Sequence, residues 1–320
     1  MMPSGLLLGA LGLDAIFGDP ERAWHPVRRL GAFIHWGEGV ARRDSRHMKL
    51  RGVGLAMLVV GATYLSGLVV VRAAGLLDGA LALRGWFSLG VQAALVWMSL
   101  AVRAMVEHVS PVLHALKNGD LPQARLAVGR MVGRDTAELD ERGVCRACLE
   151  SVAEGLGDGV VGPLFFAALG GAPLALAYRA VNTLDSMVGY KDERYLQLGW
   201  ASARLDDLAS WLPARKAALF SILAAWMLGL DPQAAWRVAR RDAKDQPSPN
   251  SGWPEGAFAG ALGVQLGGPI KYRGRVSEKA TLGEPLKPLD AQALRLGLRL
   301  FVAASVLAVL FYETLAWFHV

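Results

Sequence analysis

Charged residues are scarce in this sequence: they make up 19% of its 320 residues, against 53% hydrophobic residues. So much apolar and so little charged side chain excludes an intrinsically disordered chain and a coiled coil. The two cysteines, Cys145 and Cys148, cannot build a disulfide framework, and this lone CxxC pair supplies only half of the ligands that structural zinc needs. We therefore expect both thiols to be packing residues.

Common sequence signatures of catalysis and of repeat folds are also missing. The sequence contains no GxxxxGK[ST] phosphate loop, no HExxH and no GxSxG. It shows no repeat with a period of 20 to 50 residues and no low-complexity tract. Any nucleotide would therefore be held by another kind of site.

What the sequence does contain is uncharged segments of membrane-spanning length. Gly52–Val71 and Gly85–Val102 are uncharged over twenty and eighteen residues, and they predict two transmembrane helices. A third run, Gly159–Tyr178, is interrupted at residues 170–173 by Gly-Gly-Ala-Pro, which breaks a helix at a depth where unpaired backbone is costly. We interpret this run as a re-entrant helical hairpin. Shorter apolar segments are Met1–Phe17, Ala217–Leu230 and Leu300–Tyr312, the last followed by Glu313.

These segments predict an all-α, polytopic integral membrane protein, with about four to five membrane helices and a re-entrant hairpin. We expect a single domain over residues 1–320, with helical and loop blocks in the cytoplasm. The N-terminal segment lacks a basic leader and a cleavage site, so we expect it to be retained.

The distribution of arginine and lysine predicts the orientation in the membrane. These residues are frequent before the first span and after the second, whereas the connection between the spans has only Arg72 and Arg84. The positive-inside rule then places both flanks in the cytoplasm of a multi-pass protein of the cell (inner) membrane. It also accounts for the net charge of +6, so we expect the lipid bilayer and no nucleic acid as a partner.

Polar residues collect in four blocks, 14–51, 103–158, 179–216 and 231–299, which share one predicted side and can form one composite cytoplasmic site. In the first block, Asp14 and Asp19 follow an apolar helix and precede His25. Two carboxylates at such a turn can hold hydrated Mg²⁺, although Asp and Gly also mark ordinary helix ends.

The second block offers Arg134 next to Asp135, a planar donor beside a metal ligand, although either residue could be an ordinary surface or capping residue. Glu154 and Asp158 lie four residues apart, on one face of a helix. Like charges at that spacing favour a cation between them.

In the third block, Asn182 and Asp185 lie three residues apart on a predicted helix. Four further side chains have the spacing of one helical face, which is also typical of a solvated surface: Arg204, Asp207, Trp211 and Arg215.

The fourth block contains Asn250 and Glu255 as candidate site residues. Its glycines at 256, 260 and 263 favour close helix packing.

Together these segments resemble the CobD/CbiB family of adenosylcobinamide-phosphate synthases, membrane proteins of cobalamin biosynthesis. One departure is Gly155, which follows Glu154 where the family usually has asparagine. The resemblance covers nearly the whole chain and is carried by LDAIFGDP with HPV, VGRDT, LFFAALGGAPLALAYRAVNTLDSMVGYK, SARLDDLASWLPAR and SPNSGWPEGAFAGALGVQLGGP.

The resemblance implies ATP-dependent amide-bond formation between adenosylcobyric acid, a corrinoid, and (R)-1-aminopropan-2-yl phosphate, through an acyl phosphate and with Mg²⁺ as the metal. It also implies other membrane enzymes of the corrinoid pathway as partners. Expected metal ligands are Asp14, Asp19, Asp135, Glu154, Asp158 and Asp185. Expected phosphate-holding cations are Arg134, Lys191, Arg204 and Arg215. Catalytic candidates are His25, Arg134, Asn182, Lys191, Arg204, Asp207, Asn250 and Glu255, with His25 or Asp207 accepting the ammonium proton.

Two other functions fit the same composition. A corrinoid transport component would place charges beside a broken helix, but along a path through several long spans. A membrane sensor of the AmpE type, which is distantly similar, would need no ligase chemistry. The clustering of charge in polar blocks on one predicted side favours an enzyme.

Overall fold

The computed structural model describes residues 3–19, 26–44, 46–190, 192–272 and 274–318. Within these ranges the fold is helical, as predicted, with one short β-hairpin that we had not predicted. Its elements in chain order are α1 (Leu6–Phe17), α2 (Pro26–Ala41), α3 (Met48–Leu81), α4 (Trp86–Trp97), α5 (Val102–Lys117), α6 (Leu121–Val128), α7 (Glu141–Leu156), a π-helical turn (Gly157–Val161), α8 (Gly162–Val188), α9 (Trp200–Ala209), α10 (Trp211–Met227), α11 (Pro232–Asp242), a 3-10 turn (Ala243–Asp245), α12 (Gly252–Leu262), β1 (Leu266–Tyr272), β2 (Arg275–Leu282) and α13 (Ala291–Phe318).

The polytopic membrane character is confirmed by helix length and composition. In α3, exposed Met57, Leu65 and Val69 form an apolar surface of the kind that a helix turns towards lipid. Among the described residues, the helical segments long and apolar enough to cross a membrane are Met48–Leu81, Trp86–Lys117, Glu141–Val188 and Ala291–Leu315.

The first two predicted spans differ in their ends from the sequence prediction. Because α3 continues to Leu81, Arg72 lies inside a helix rather than in a loop. The predicted span 85–102 contains only the twelve residues of α4, about 18 Å of helix, before the backbone breaks at 98–101. At this break the Ala101 N–H donates to the carbonyl of Gly159 in the π-helical turn, a pairing that the local sequence does not indicate.

Contacts divide the chain into two compact units. The first unit comprises residues 1–100, 162–210 and 309–320, and the second comprises 101–161 and 211–308. In the first unit, α3 packs on α2, α4, α8 and α9, and α1 packs on α4. Its buried apolar side chains are Ile34, Leu55, Ala56, Val59, Ala180, Leu184, Val188 and Ala201.

The predicted helical hairpin forms within α8. Gly170 and Gly171 leave helical geometry, and Gly171 has φ 68° and ψ −167°, a conformation that glycine adopts without steric cost. The rings of Phe166 and Tyr178 stack with their centroids 4.9 Å apart, whereas twelve residues of straight helix span about 18 Å. The chain therefore turns back at Gly170–Gly171, and Glu141–Val188 is not one straight rod.

Two buried carboxylates in the first unit cap apolar helices. Glu313 accepts the backbone N–H groups of Gly5 and Leu7 at the start of α1, the second at 2.9 Å. Asp78 accepts those of Phe87 and Ser88 at the start of α4, at 3.2 and 2.7 Å. Both side chains satisfy N–H groups that a helix start leaves unpaired, so these charges have a structural role.

In the second unit, α12 packs closely on α11. A Cβ at Gly256 or Gly260 would overlap the backbone of Ala239 or Ala234, which confirms the close approach predicted from the glycine spacing. The stripe is continued by Gly252 instead of Gly263, because Gly263 ends the helix with φ 68°.

The second unit also contains the antiparallel β1–β2 hairpin, with a bulge at Gly267–Gly268.

Gly157, Gly159 and Gly162 have the spacing GxGxxG, but they lie in and just after a turn between two helices. They therefore do not form the dinucleotide-binding loop that follows a strand.

Candidate active site

Five charged side chains of the second unit form what we call the charged cluster: Arg134, Glu150, Glu154, Glu255 and Lys279. Arg134 lies between α6 and α7, and Glu150 and Glu154 are one turn apart on α7. Glu255 is in the first turn of α12, and Lys279 is on β2. Helix, loop and strand from polar blocks 103–158 and 231–299 thus converge, and the predicted composite site of all four blocks stays a prediction.

Glu150 is the fully bonded carboxylate of the cluster. It is 2% exposed, forms an ion pair with Arg134, and accepts the backbone N–H of Gly267 at 2.7 Å through its other oxygen. Arg146 fixes the same segment by donating to the carbonyls of Gly267 at 2.7 Å and Pro269 at 3.1 Å. Glu150 therefore holds the bulged start of β1 in place.

Glu255 has a different environment, since its Oε2 is buried and accepts no hydrogen bond from the described residues. Burial raises the pKa of this carboxyl to about 8, Lys279 acts in the opposite direction, and the charges of Glu150 and Glu154 raise it further. A carboxyl group with this pKa exchanges its proton near neutral pH, as a general acid or base must.

Lys279 supplies the balancing positive charge. Burial lowers the pKa of its ammonium group, but the charges of Glu255, Glu150 and Glu154 outweigh this effect and the pKa is raised overall. Lys279 is thus a cation at neutral pH. Because Glu154 is exposed while Glu255 is 1% exposed, the cluster extends from the solvent to a buried carboxyl.

Chemically, the cluster combines anionic oxygens with cationic donors. Arg134 keeps a buried Nε–H that has no acceptor among the described residues, and Lys279 has an ammonium group beside it. Such donors can bind a phosphate, and the open oxygen of Glu255 can receive a proton or a metal ion. Binding and proton transfer can therefore occur within one cluster.

The β-hairpin that carries Lys279 is anchored along its length. The Asp135 carboxylate accepts the Gly274 N–H at 2.7 Å, and the Asp135 N–H donates to Lys271. Gln246 donates to the Ala280 carbonyl at 2.7 Å, next to Lys279. Asp135, a predicted metal ligand, thus has a structural partner at the hairpin turn.

Other predicted residues of the second unit lie on the elements around the cluster. Asp158 is in the π-helical turn, a kind of helix irregularity that is frequent at functional sites, and Asn250 is 5% exposed. The Arg215 guanidinium lies over the rings of Trp211 and Trp253, 4.1 and 4.9 Å from their centroids. This stacking fixes the plane of the Arg215 guanidinium, which we predicted to bind phosphate.

Several predicted residues belong to the first unit. Asp14 is buried on α1, and Asp19 is exposed beyond its end. Asn182 lies 3.5 Å from Asp206, so a polar contact joins α8 to α9, and Asp185 lies on α8.

The predicted helical face at 204–215 is wrong as a single surface. Arg204 and Asp207 form an ion pair at 3.5 Å on α9, whereas Trp211 and Arg215 are on α10 in the second unit. Pro213 explains the break, because proline lacks the N–H that would bond to the carbonyl of Ala209. His25 and Lys191 lie outside the described residues, so their roles stay predictions.

The predicted metal ligands are divided between the units. Asp14, Asp19 and Asp185 belong to the first unit, and the remaining ligands to the second: Asp135, Glu154 and Asp158. Across the ranges that the structure describes, no three histidine, cysteine or acidic side chains are arranged to hold an ion by themselves. The magnesium assignment therefore stays a prediction.

Sequence reasoning missed Glu150 and Lys279. Glu150 precedes Glu154 by one helical turn, and this i, i+4 pair of carboxylates was a usable signal. Lys279 stands in a β-strand that we had not predicted. Gly155, the departure from the family pattern, packs against the end of the Met105 side chain, which occupies the space that a larger side chain would need.

The sequence is similar to known proteins over nearly its whole length. The family model for the CobD/Cbib protein matches residues 7–301. The chain is 50% identical over 305 residues to the cobalamin biosynthesis protein CobD of Geobacter metallireducens, covering 95% of this chain and 94% of that protein. It is 44% identical over 298 residues to the CobD of Pelobacter propionicus, covering 93% and 90% of the two chains. It is 40% identical over 299 residues to the CbiB of Salmonella typhimurium, covering 92% of each. No solved structure matches the chain.

Proposed function

The chain belongs to the CobD/CbiB protein family, and from this membership we propose that it acts in cobalamin biosynthesis as an adenosylcobinamide-phosphate synthase. The proposed reaction joins a propionate carboxyl group of adenosylcobyric acid to the amine of (R)-1-aminopropan-2-yl phosphate, with hydrolysis of ATP. The structural observation that carries the proposal is Glu255, a buried carboxyl with an open oxygen beside Lys279, which in turn neighbours Arg134.

Amide formation needs an activated acyl group, because a carboxylate does not react with an amine unaided. In the proposed sequence a carboxylate oxygen of the corrinoid attacks the γ-phosphorus of ATP, and ADP leaves. The amine nitrogen then attacks the acyl carbon of the acyl phosphate, inorganic phosphate leaves, and one proton departs from nitrogen.

In this scheme Lys279 and Arg134 bind phosphoryl oxygens and stabilise the negative charge that develops on them. Glu255 accepts the proton from the attacking amine, since its pKa of about 8 makes it a stronger base than an ordinary carboxylate. Glu150 does not react, because its carboxylate is committed to Arg134 and to the backbone of β1. The earlier candidates for proton acceptor were His25, which lies outside the described residues, and Asp207, which is paired with Arg204.

The residues present fit Mg²⁺, which prefers oxygen ligands and needs few from the protein when phosphates supply the rest. Glu154 offers an exposed carboxylate in the charged cluster. Glu154 would hold the ion, which when bound neutralises phosphoryl charge, and Glu255 stays available to accept the proton.

The proposed function is tested by incubating the purified full-length protein with adenosylcobyric acid, the amine, ATP and Mg²⁺. We expect the corrinoid amide and ADP to form in a ratio of one to one. Parallel reactions with phosphorylated and unphosphorylated aminopropanol identify the amine that is used. Absence of product from folded protein, under conditions where the Salmonella typhimurium CbiB is active, would overturn the proposal and favour a sensor or transport role.

A further inference from the structure

A second polar site lies in the second unit, where the C-terminal end of α5 meets the N-terminal end of α13. A cavity of about 330 Å³ opens there. Its lining comprises Leu113, Lys117, Ala291, Gln292, Arg295, Leu296 and Arg299. It shares no residue with the charged cluster, and this volume is within the range of small-molecule sites.

Three of the lining residues are cations without a carboxylate partner among the described residues. Arg295 and Arg299 are four residues apart on α13 and therefore on one face of it, and Lys117 comes from the last turn of α5. Their side chains are exposed. The neighbouring Asp290 does not neutralise them directly, since its carboxylate accepts the Ala293 N–H at 2.9 Å and caps α13.

The remaining lining combines an amide with hydrocarbon. Gln292 can donate to an oxygen, and Leu113 and Leu296 provide apolar walls beside the cations. Arginine side chains bind phosphate oxygens with paired donors, whereas leucine side chains favour a ligand with an apolar part. The lining therefore matches a molecule that carries a phosphate next to hydrocarbon.

The position of the cavity along α13 also indicates a ligand with a phosphate next to hydrocarbon. Residues 291–315 are long and apolar enough to span a membrane, and the cavity lies at the first three turns of this span. Lipid headgroups lie at that level, and basic pockets between membrane helices on the cytoplasmic side bind anionic headgroups. We propose that this cavity binds the phosphate of an anionic phospholipid, in preference to free phosphate or a nucleotide.

The test is lipid binding by the full-length protein, measured by native mass spectrometry from detergent with phosphatidylglycerol or phosphatidylcholine added. The site variant is Lys117→Gln/Arg295→Gln/Arg299→Gln. The matched control, Arg237→Gln/Arg240→Gln/Lys244→Gln, removes three exposed positive charges at α11 and the turn after it in the same unit. Each titration is repeated with millimolar inorganic phosphate and with millimolar ATP.

We expect phosphatidylglycerol to bind the wild type more tightly than phosphatidylcholine does, and the site variant to lose this preference. Each cation near a membrane surface contributes roughly fivefold to such binding, so the loss of three predicts a decrease of roughly a hundredfold. The control variant should keep the wild-type affinity. Equal loss in both variants, or equal binding of the two lipids, would overturn the proposal. Displacement of the lipid by phosphate or ATP would overturn it in favour of a soluble phosphate ligand.

Discussion

At the scale of single residues, the carboxylates of Glu150 and Glu255 differ in their bonding, although both are buried in the charged cluster. Both Glu150 oxygens are bonded, to Arg134 and to the backbone of β1, whereas one Glu255 oxygen has no partner in the described part of the chain. The first residue should therefore matter for stability, and the second for chemistry.

Glu150→Gln should destabilise the protein, because it removes the ion-pair partner of the buried Arg134 guanidinium. Loss of one partner from a buried ion pair costs about 3–5 kcal/mol. Unfolding can be followed with a thiol-reactive dye, because Cys145 and Cys148 are buried in the folded chain. Glu255→Gln, which breaks no hydrogen-bonded ion pair among the described residues, is the matched control. An unchanged melting temperature for Glu150→Gln would contradict this role.

Glu255 should also make stability depend on pH. Its pKa is raised from an ordinary 4.5 to about 8, so the unfolded chain loses this proton at a lower pH than the folded chain does. The stabilisation from the neutral carboxyl group is then complete below pH 4.5 and is lost as the pH rises through about 8. Relative to Glu255→Gln, the melting temperature of the wild type should fall by ~5 °C or more between pH 5 and pH 8.5. Parallel curves for the two proteins would show that Glu255 has an ordinary pKa.

At the scale of elements, the helical hairpin of α8 depends on one close approach. Gly162 faces the Tyr178 ring, and a Cβ at this position would overlap the ring. Gly162→Ala should therefore destabilise the protein by about 1–3 kcal/mol, the usual cost of overpacking. The control is Gly61→Ala on α3, where an added Cβ meets no atom within 4 Å and should be neutral or stabilising. Equal melting temperatures for the two variants would contradict the hairpin geometry.

The helices and the break within α8 could be predicted from the sequence, because the signals for both are local. Uncharged length indicates a span, and Gly170-Gly171 before Pro173 indicates a break. The β1–β2 hairpin escaped prediction because its order depends on distant partners, among them Glu150, Arg146, Asp135 and Gln246. The end of α4 was not predicted for the same reason, since the Ala101 N–H donates to the distant carbonyl of Gly159.

At the scale of the whole molecule, three members of the charged cluster were predicted from sequence: Arg134, Glu154 and Glu255. They stand in recognisable segments near turns and helix starts. Glu150 and Lys279 were not predicted, because neither shows from local sequence that it faces the other three. Burial and proximity in three dimensions, which set the pKa of Glu255, cannot be derived from spacing.

The orientation in the membrane is still a prediction, and single cysteines at exposed positions test it. Leu196→Cys and Ser277→Cys should react with a membrane-impermeant maleimide only after permeabilisation, since the positive-inside rule places both in the cytoplasm. Leu83→Cys, between α3 and α4, should react in intact cells. The native thiols are buried and should give little background. Labelling of position 196 from outside would contradict a re-entrant course for residues 159–178.

The central claim is that the charged cluster of the second unit forms the amide bond, and single-turnover product formation by Glu255→Gln tests it most directly. The variant is compared with wild-type protein of equal folded content, with saturating adenosylcobyric acid, aminopropanol phosphate, ATP and Mg²⁺. We expect the rate of corrinoid amide formation to fall by about 10²–10⁴-fold, the usual contribution of a general base. Amide formation by Glu255→Gln at the wild-type rate would contradict the claim.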